Sequence, residues 1–194
     1  NIEKDTLVIE IGPGAGALTS KLCKVSKNVL CYEIDESLKP FLDKLKEEND
    51  NVEIVYKDFL EANVIEDIKK YEYKKIYVVA NLPYYVTTPI IIKIIENKIP
   101  VDKIVVMVQK EVGNRFKAEP GTREYGSLSV YLKYHYNIKK LLDVSRNVFY
   151  PKPNVDSIVV LLERKNETYF VKNEEIFFRL VKDSFTQKRK TLRN

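Results

Sequence analysis

Apolar and polar positions in residues 1–110 follow two alternating patterns. Short runs rich in valine and isoleucine predict buried strands. Between these runs, apolar residues recur at helical spacing, as in the amphipathic segment 36–48. Strands this apolar that alternate with helices predict a parallel sheet covered by helices on both faces. The predicted strands are Thr6–Ile11, Asn28–Ile34, Val52–Tyr56, Lys75–Ala80 and Lys103–Gln109, and the predicted helices are Ala17–Val25, Glu36–Glu48, Val64–Tyr71, Pro89–Lys98 and Lys110–Ala118.

The pattern changes after residue 118. A glycine-containing loop at 120–126 precedes a predicted helix at Leu128–Tyr136. Two late strands, Asn137–Ser145 and Asp156–Arg164, flank a proline-rich segment, and a last helix near Asn173–Lys188 leads into a basic tail. The fold class predicted from the whole pattern is α/β, with a mainly parallel seven-stranded sheet.

The composition is that of a protein with a core, since 44% of the 194 residues are hydrophobic and 31% are charged. No apolar run approaches the roughly 18 residues of a membrane span. The first residues have neither the basic head nor the apolar centre of a signal peptide, and without an initial Met we expect that the true N-terminus is missing. The net charge of +5 weakly favours a polyanionic partner.

Cysteine and histidine are scarce, which limits the chemistry. Cys23 and Cys31 are not patterned with histidine at metal-ligand spacing, so we predict thiols in a reducing cytoplasm and no metal site. The one histidine, His135, has no nucleophile or acid patterned near it and is predicted to be an ordinary helix-surface residue. Catalytic triads and zinc chemistry are therefore disfavoured.

A glycine-rich turn, in the segment EIGPGAGALT, follows the first predicted strand. Gly12, Gly14 and Gly16 stand at alternate positions and would let the backbone approach a ligand closely. The turn lies at the carboxyl end of its strand, which is the edge where open α/β sheets bind ligands. Glu10 before the turn and Pro13 within it strengthen the prediction of a nucleotide site, which a glycine turn alone would support only weakly.

The next two strands are followed by carboxylates. Glu33 ends strand two, where a carboxylate can accept both hydroxyls of an adenosine ribose. Asp58 follows strand three, where it can accept a hydrogen bond from an adenine amino group. Each acid alone could equally cap a helix or be a solvated charge, but three consecutive strands with such groups favour a cofactor site. Their neighbours Ile34 and Phe59 are predicted to line the same site.

Two cofactors compete for this turn. Dinucleotide folds prefer G-x-G-x-x-G, because the pyrophosphate lies on the helix N-terminus. Here the spacing is G-x-G-x-G after an acid. S-adenosyl-L-methionine has an amino-acid tail and a sulfonium instead of phosphates, so it suits this turn better, with S-adenosylhomocysteine as product.

The fourth strand ends in an unusual segment, ANLPYYVTTP. The amide oxygen of Asn81 can accept a hydrogen bond from an amine without taking its proton, and the carbonyl of Leu82, held by Pro83, can accept a second. Tyr84 can stack on a flat base. Together they predict a cradle for an exocyclic amino group on an aromatic ring. Two acceptors would localise the nitrogen lone pair for attack on a sulfonium methyl, and positioning would supply most of the rate.

Six segments together resemble the ribosomal RNA adenine dimethyltransferases. The match is closer to the bacterial small-subunit type than to the antibiotic-resistance methylases of large-subunit RNA. The pair NLPY and FYPKPNVDS is highly specific, and the resemblance covers nearly the whole chain. The segments are EIGPGAGALT, EID, KDF, NLPYYVTTP, MVQKEVGNRFKAEPGTREYGSLSV and VFYPKPNVDSIV.

The resemblance implies a Rossmann-like methyltransferase domain at 1–165 and, at 166–194, a connecting helix and the start of a mostly missing C-terminal helical domain. The glycine turn would line the methionine and ribose part of the cofactor, and Asn81 would contact the cofactor as well, lying between it and the target. Tyr84 and Phe149 would sandwich the target adenine. The family dimethylates two adjacent adenines of small-subunit RNA late in assembly. We therefore expect a cytoplasmic, monomeric enzyme that acts on an assembling 30S particle. The implied catalytic set is Asn81, Leu82, Pro83, Tyr84 and Phe149, and the implied phosphate contacts are Lys110, Arg115, Lys117, Arg123, Lys188, Arg189, Lys190 and Arg193.

Several features depart from the family or leave alternatives open. Gly113 stands where the family usually has a better helix former, and a Gln-Asn-Phe-Leu segment upstream of strand one is absent. With that segment and most of the C-terminal domain missing, we expect the 194-residue chain to be folded but nearly inactive. Methylation of adenine in large-subunit RNA, methylation of DNA adenine and a non-catalytic RNA-binding role in assembly are the alternatives. Leu82 in place of a first proline argues against the DNA reading, and the intact Glu33 and Asn81 argue against the non-catalytic reading.

Overall fold

The structure is a computed structural model that describes residues 2–81, 85–166 and 171–186. Its seven strands form one mainly parallel sheet accompanied by helices, which confirms the predicted fold class. By compactness the chain divides into two units, Asn1–Val108 and Gln109–Asn194. Compactness is a different criterion from a domain boundary, so the boundary predicted at residue 165 stays a prediction. Within the described ranges, no helix is long and apolar enough to cross a membrane.

Five parallel strands lie in the first unit: β1 (Thr6–Ile11), β2 (Asn28–Glu33), β3 (Val52–Tyr56), β4 (Lys75–Asn81) and β5 (Lys103–Gln109). Their order in the sheet is β3-β2-β1-β4-β5. Every residue of β1 is buried, as expected for a central parallel strand. The strand order reverses beside β1, whose neighbours are β2 and β4. A ligand crevice is therefore expected at the carboxyl ends of β1 and β4.

The helices of the first unit are α1 (Thr19–Cys23), α2 (Lys39–Glu48), α3 (Val64–Ile68) and α4 (Thr87–Glu96). The strand bounds agree with the prediction within one residue, whereas the helix bounds do not. The predicted helix at 36–48 is split, because Asp35 caps a separate 3₁₀ turn by accepting the Ser37 N–H at 2.9 Å. Pro40 then fits the first turn of α2, where its missing N–H leaves no hydrogen bond unmade.

One buried cluster of the first unit joins α1 and α2 to the sheet. Cys23 and Cys31 belong to this cluster, and both are buried free thiols. Burial raises the pKa of both, so neither is prone to ionise. Their remaining buried neighbours in the cluster are Val8, Leu22, Val29, Leu45 and Val52.

The second unit contains α5 (Lys110–Lys117), α6 (Ser127–His135), β6 (Tyr136–Val144), β7 (Ser157–Arg164) and α7 (Glu174–Ser184). β6 and β7 pair antiparallel, with an irregularity between Lys140 and Leu142. α5 buries Gly113 together with Phe116, so this glycine faces a packed surface. α7 ends at Ser184, so its predicted continuation is wrong at 185–186, and 187–188 lie outside the described residues.

His135 is not the ordinary surface residue that was predicted. Its ring is stacked 5.5 Å from Phe178 and lies edge-on to Tyr131 and Tyr134, at 5.3 and 4.9 Å. Burial lowers the pKa of His135, and the negative charge of Glu174 opposes that effect. Because Phe178 comes from α7, this burial is a tertiary effect that the helical pattern of α6 does not contain.

Candidate active site and cofactor crevice

The carboxyl ends of three neighbouring strands bring predicted site residues into one row. In the sheet register, Tyr32 and Ala80 lie opposite Ile11. The next residue of each strand therefore lies at the carboxyl edge of the sheet, beside the reversal of strand order. These next residues are Gly12, Glu33 and Asn81, so the edge carries one glycine and two polar side chains.

The glycine turn has two structural roles. Its φ angles are 69° at Gly12, 59° at Gly14 and 83° at Gly16, a region that other residues adopt at a cost. A Cβ atom on Gly14 would meet nothing within 4 Å, whereas a Cβ on Gly16 would lie 2.5 Å from Cδ1 of Leu45. Gly14 therefore borders open space that a ligand can use, while Gly16 permits close packing against α2. Sequence reasoning predicted the first role and missed the second.

Glu33 fastens the glycine turn to the end of β2. The residue is only 6% exposed. Its Oε1 accepts the N–H groups of Ile34 and Asp35 at 2.9 and 3.0 Å, and its Oε2 accepts the N–H of Gly14 at 3.1 Å. An ionised carboxylate offers about four lone-pair positions, so Oε2 keeps one position for a further donor. Glu33 can thus hold a ribose hydroxyl while it orders the turn itself, a second task that the sequence did not reveal.

Glu10 is a buried carboxyl on β1, just before the turn. It is 2% exposed, and its Oε2 accepts a hydrogen bond from the Cys31 thiol at 3.7 Å. Burial raises the pKa of Glu10 and repulsion from Glu33 adds to this, whereas the Thr19 hydroxyl and the Cys31 thiol lower it. A side chain this enclosed supports the turn from within. The predicted contact between Glu10 and a cofactor stays a prediction.

Asp58 opens a short helical turn directly after β3. Its Oδ1 accepts the N–H of Leu60 at 2.8 Å, and its carbonyl accepts the N–H groups of Glu61 and Ala62 at 3.0 Å each. These bonds fix the Asp58 side chain at the carboxyl edge of the sheet. Its Oδ2 atom takes no part in these bonds, and the predicted contact with an adenine amino group stays a prediction.

The two predicted neighbours of these acids differ in what they can offer. The Phe59 ring is 2% exposed and meets Tyr32 edge-on at 5.3 Å. It belongs to the core, and its predicted contact with a cofactor stays a prediction. Ile34 is 71% exposed and can cover one face of a flat ring.

The target segment is described only at its first residue. Asn81 is the exposed last residue of β4, opposite Met107 in the register. Leu82, Pro83 and Tyr84 lie outside the described residues. The predicted amino-group cradle therefore rests on the position of Asn81.

Phe149 lies in the second unit, directly after a 3₁₀ turn at Arg146–Val148. It is half-buried, and its neighbours Val148 and Tyr150 are exposed. The sandwich of the target adenine between Tyr84 and Phe149 stays a prediction.

Four of the predicted RNA-binding residues are described, and all four are exposed in the second unit. Arg115 forms an ion pair with Glu111 at 3.2 Å. Arg115 and Arg123 line a cavity of about 930 Å³ that also contains Glu111 and Glu124, so its charge is mixed. Lys110 begins α5 and Lys117 ends it. The remaining four residues, Lys188, Arg189, Lys190 and Arg193, lie outside the described residues.

Sequence reasoning missed Lys93 on α4. Its ammonium group reaches across to the turn that follows β3 and donates to the carbonyls of Phe59, Leu60 and Ala62. The one available sequence signal was a lysine inside the apolar run PIIIKII. Its partners are backbone atoms, so no side-chain motif marks them.

Comparison with known proteins shows the family of the chain. The profile of the family described as "Ribosomal RNA adenine dimethylase" matches residues 1–194. A "Ribosomal RNA small subunit methyltransferase A" from Staphylococcus aureus is 48% identical over 197 residues, which is 100% of this chain and 66% of that protein. The chain thus spans about two thirds of the length of this curated relative.

Two solved structures share the fold. A dimethyladenosine transferase from Plasmodium falciparum has a TM-score of 0.84 and 32% identity, over 98% of this chain and 67% of that one. The 23S rRNA methyltransferase ErmE has a TM-score of 0.77 and 26% identity, over 96% of this chain and 72% of that one. The chain belongs to the ribosomal RNA adenine dimethylase family.

Proposed function

We propose that the chain is the catalytic part of an enzyme that transfers methyl groups from S-adenosylmethionine to the exocyclic amino nitrogens of two adjacent adenines in small-subunit (16S) ribosomal RNA. The observation that carries the proposal is the position of Asn81. It is exposed at the end of β4, in the same register row as Glu33 and beside the reversal of strand order. This position supports the proposal, because a neutral acceptor there would lie next to the crevice expected at the reversal of strand order.

The residues of the crevice fit S-adenosylmethionine. Glu33 has one acceptor position left for a ribose hydroxyl, and Asp58, held by the Leu60 N–H at the same edge of the sheet, would accept from an adenine amino group. The open space at Gly14 leaves room for the part of the cofactor near the turn. When bound, S-adenosylmethionine supplies an activated methyl group on a sulfonium.

The chain's own contribution is to hold the target nitrogen. An exocyclic amino group is a weak nucleophile because its lone pair is delocalised into the ring. The Asn81 side-chain oxygen accepts one of its hydrogens, and the carbonyl of Leu82, ahead of Pro83, accepts the other. Two such acceptors favour a pyramidal nitrogen whose lone pair points at the methyl group. No strong base is needed, because the methylated nitrogen is acidic enough to release its proton to water.

Tyr84 and Phe149 would hold the adenine between their rings, since base–aromatic stacking is worth about 1–3 kcal/mol per base. The exposed basic residues of α5 and of the loop after it would contact phosphates. The proposed partner is small-subunit RNA in an assembling 30S particle, met in the cytoplasm by a monomeric enzyme.

Large-subunit RNA is the second candidate substrate, because ErmE, a 23S rRNA methyltransferase, shares the fold at a TM-score of 0.77. Identity separates the two candidates. The chain is 48% identical to a small-subunit methyltransferase and 26% identical to ErmE. The small-subunit substrate is therefore favoured.

Single-turnover methyl transfer tests the proposal, because excess enzyme makes even a low rate measurable. Small-subunit particles, large-subunit RNA and duplex DNA are compared as methyl acceptors. We expect label on adenine amino groups of the small-subunit particle only. Label on large-subunit RNA or DNA alone, or none on any acceptor, would contradict the proposal.

Asn81→Ala isolates the role of the amide. Losing one preorganised polar contact to the reacting group typically costs roughly a hundredfold or more in rate. Cofactor binding, measured by calorimetry, should survive. Asn97→Ala is the matched control, because Asn97 caps the far end of α4 and is exposed. Equal rates for the two variants would remove Asn81 from the mechanism.

A further inference from the structure

Lys93 makes an unusual set of contacts for a lysine. Its Nζ atom donates to the carbonyl oxygens of Phe59 at 2.6 Å, Leu60 at 2.8 Å and Ala62 at 2.7 Å. Three acceptors use all three hydrogens of an ammonium group. It also lies 5.4 Å from the centre of the Phe59 ring, within the range of a cation–π contact. All of these partners therefore belong to one short stretch of the chain, residues 59–62.

This stretch is the turn that carries Asp58. The turn begins where β3 has ended, and Asp58 closes it by accepting the N–H of Leu60 and, through its carbonyl, those of Glu61 and Ala62. Within the turn, the Phe59 carbonyl accepts the N–H of Ala62 at 3.3 Å. The last carbonyls of so short a turn have few partners of their own, and Lys93 donates to three carbonyls of the turn from α4. Burial lowers the pKa of Lys93, and the nearby charge of Asp58 opposes that effect.

The other end of the same helix adjoins the target segment. α4 begins at Thr87, a few residues after Asn81, and buries Thr87, Ile90, Ile91 and Ile94. Lys93 therefore connects the turn after β3 to the helix that follows β4. Nothing else described at the turn joins it to α4 by charge-assisted hydrogen bonds.

We propose that Lys93 is a positioning residue that holds the turn after β3 so that Asp58 reads the adenine amino group of the cofactor. This inference rests on the proposed function, because the adenine is that of S-adenosylmethionine. Lys93 does not touch the cofactor in this scheme. It acts by fixing backbone carbonyls and, through them, the direction of the Asp58 side chain.

The test compares two cofactor products that differ at one position. S-adenosylhomocysteine carries the amino group, and its purine-riboside analogue carries only a hydrogen there, which cannot donate to Asp58. A hydrogen bond to a charged group is worth about tenfold or more in affinity, so the unmodified chain should prefer the adenosyl compound by at least about that factor. In Lys93→Met, which keeps the stem but loses all three donors, the preference should fall roughly five- to tenfold.

Two further variants separate positioning from general damage. Lys69→Met is the matched control, because Lys69 is an exposed lysine at the end of α3 that pairs only with Glu66 in the described part of the chain. It should keep the full preference. Lys93→Arg, which retains charge and donors, should restore part of it. Hydrogen exchange gives a second readout, and the amides of Glu61 and Ala62 should exchange faster in Lys93→Met alone.

The outcomes distinguish the inference from the function on which it rests. Equal weakening of both compounds in Lys93→Met, with the preference intact, would show a merely structural lysine and overturn the proposal. If the unmodified chain bound neither compound, S-adenosylmethionine would be wrong as the proposed cofactor. Hydrogen exchange alone would then test whether Lys93 holds the turn after β3. Unchanged hydrogen exchange at the amides of Glu61 and Ala62 in Lys93→Met would show, in either case, that Lys93 does not hold the turn.

Discussion

Gly16→Ala is expected to damage the fold, while the same change at Gly14 is expected to damage ligand binding. Both glycines have positive φ angles, 59° at Gly14 and 83° at Gly16. A left-handed backbone costs a non-glycine residue about 1–2 kcal/mol. Replacing glycine by alanine also lowers the conformational entropy of the unfolded chain, which offsets about 0.4–1 kcal/mol of that cost. On backbone grounds alone, the two substitutions are therefore nearly equal and mild.

The surroundings of the two glycines make the effects of the two substitutions differ. The new Cβ at Gly16 would lie 2.5 Å from Cδ1 of Leu45, whereas the Cβ at Gly14 would meet no atom within 4 Å. A methyl at the end of a side chain can move if it has space, but Leu45 is 7% exposed within a packed cluster. Overpacking of this kind costs about 1–3 kcal/mol. Gly16→Ala should therefore unfold at a lower temperature than Gly14→Ala by several degrees, at about 2–4 °C per kcal/mol for this chain length.

A double-mutant cycle with Leu45→Ala tests the cause. Alone, Leu45→Ala should cost about 2–5 kcal/mol because it leaves a cavity. In the Gly16→Ala background it should cost less, by roughly 0.5–3 kcal/mol, because it also removes the clash. The free energies are measured by urea unfolding. Strict additivity of Gly16→Ala and Leu45→Ala would refute the reasoning, and the Gly14→Ala cycle, in which additivity is expected, is the control.

Three other predictions concern the site. Glu33→Ala should weaken S-adenosylhomocysteine binding by about 1.5–3 kcal/mol, since charge-assisted hydrogen bonds to ribose and to the glycine turn are lost. Unchanged affinity in calorimetry would show that Glu33 is not part of the site. Phe149→Ala should weaken binding of the target adenine by roughly 1–3 kcal/mol, while Phe149→Trp should keep it. An unaltered rate and affinity in Phe149→Ala would show that Phe149 only packs and does not stack on the base. Burial raises the pKa of Glu10 above its ordinary 4.5, so its contribution to stability is fully present below pH 4.5 and is lost as pH rises through the raised pKa. Glu10→Gln should therefore raise the free energy of unfolding at neutral pH but not at pH 4 in urea titrations, and a gain of equal size at both pH values would contradict this.

The sequence predicted those features that local patterns carry. β3 and β5 begin and end where their apolar runs do, because a buried parallel strand is defined by its own composition. The positions of Glu33 and Asn81 followed from the same logic, since carboxyl ends of parallel strands share one edge. What sequence reasoning missed depends on contacts between distant segments. The close approach of Leu45 to Gly16 is one such contact, and the burial of His135 by α7 is another.

Lys93 shows a different limit. A lysine in an apolar helix segment predicts an amphipathic side chain whose charge escapes to solvent. Here the charge instead finds three carbonyls of a turn about thirty residues earlier in the chain. Backbone carbonyls are the same in every sequence, so their availability is visible only once the turn is built.

The register row at the carboxyl edge has a consequence for insertions and deletions. Each residue of a strand advances the chain by about 3.3 Å and turns the next side chain to the opposite face. A one-residue deletion inside β4 would therefore put a different side chain in the place of Asn81, even if every remaining residue were conserved. The connection at 69–73 enters β4 from the opposite edge and is mostly exposed, so length changes there can be absorbed before the strand begins. Length variation among working variants of this protein should consequently fall on the amino-end connections and avoid strands β1, β2 and β4.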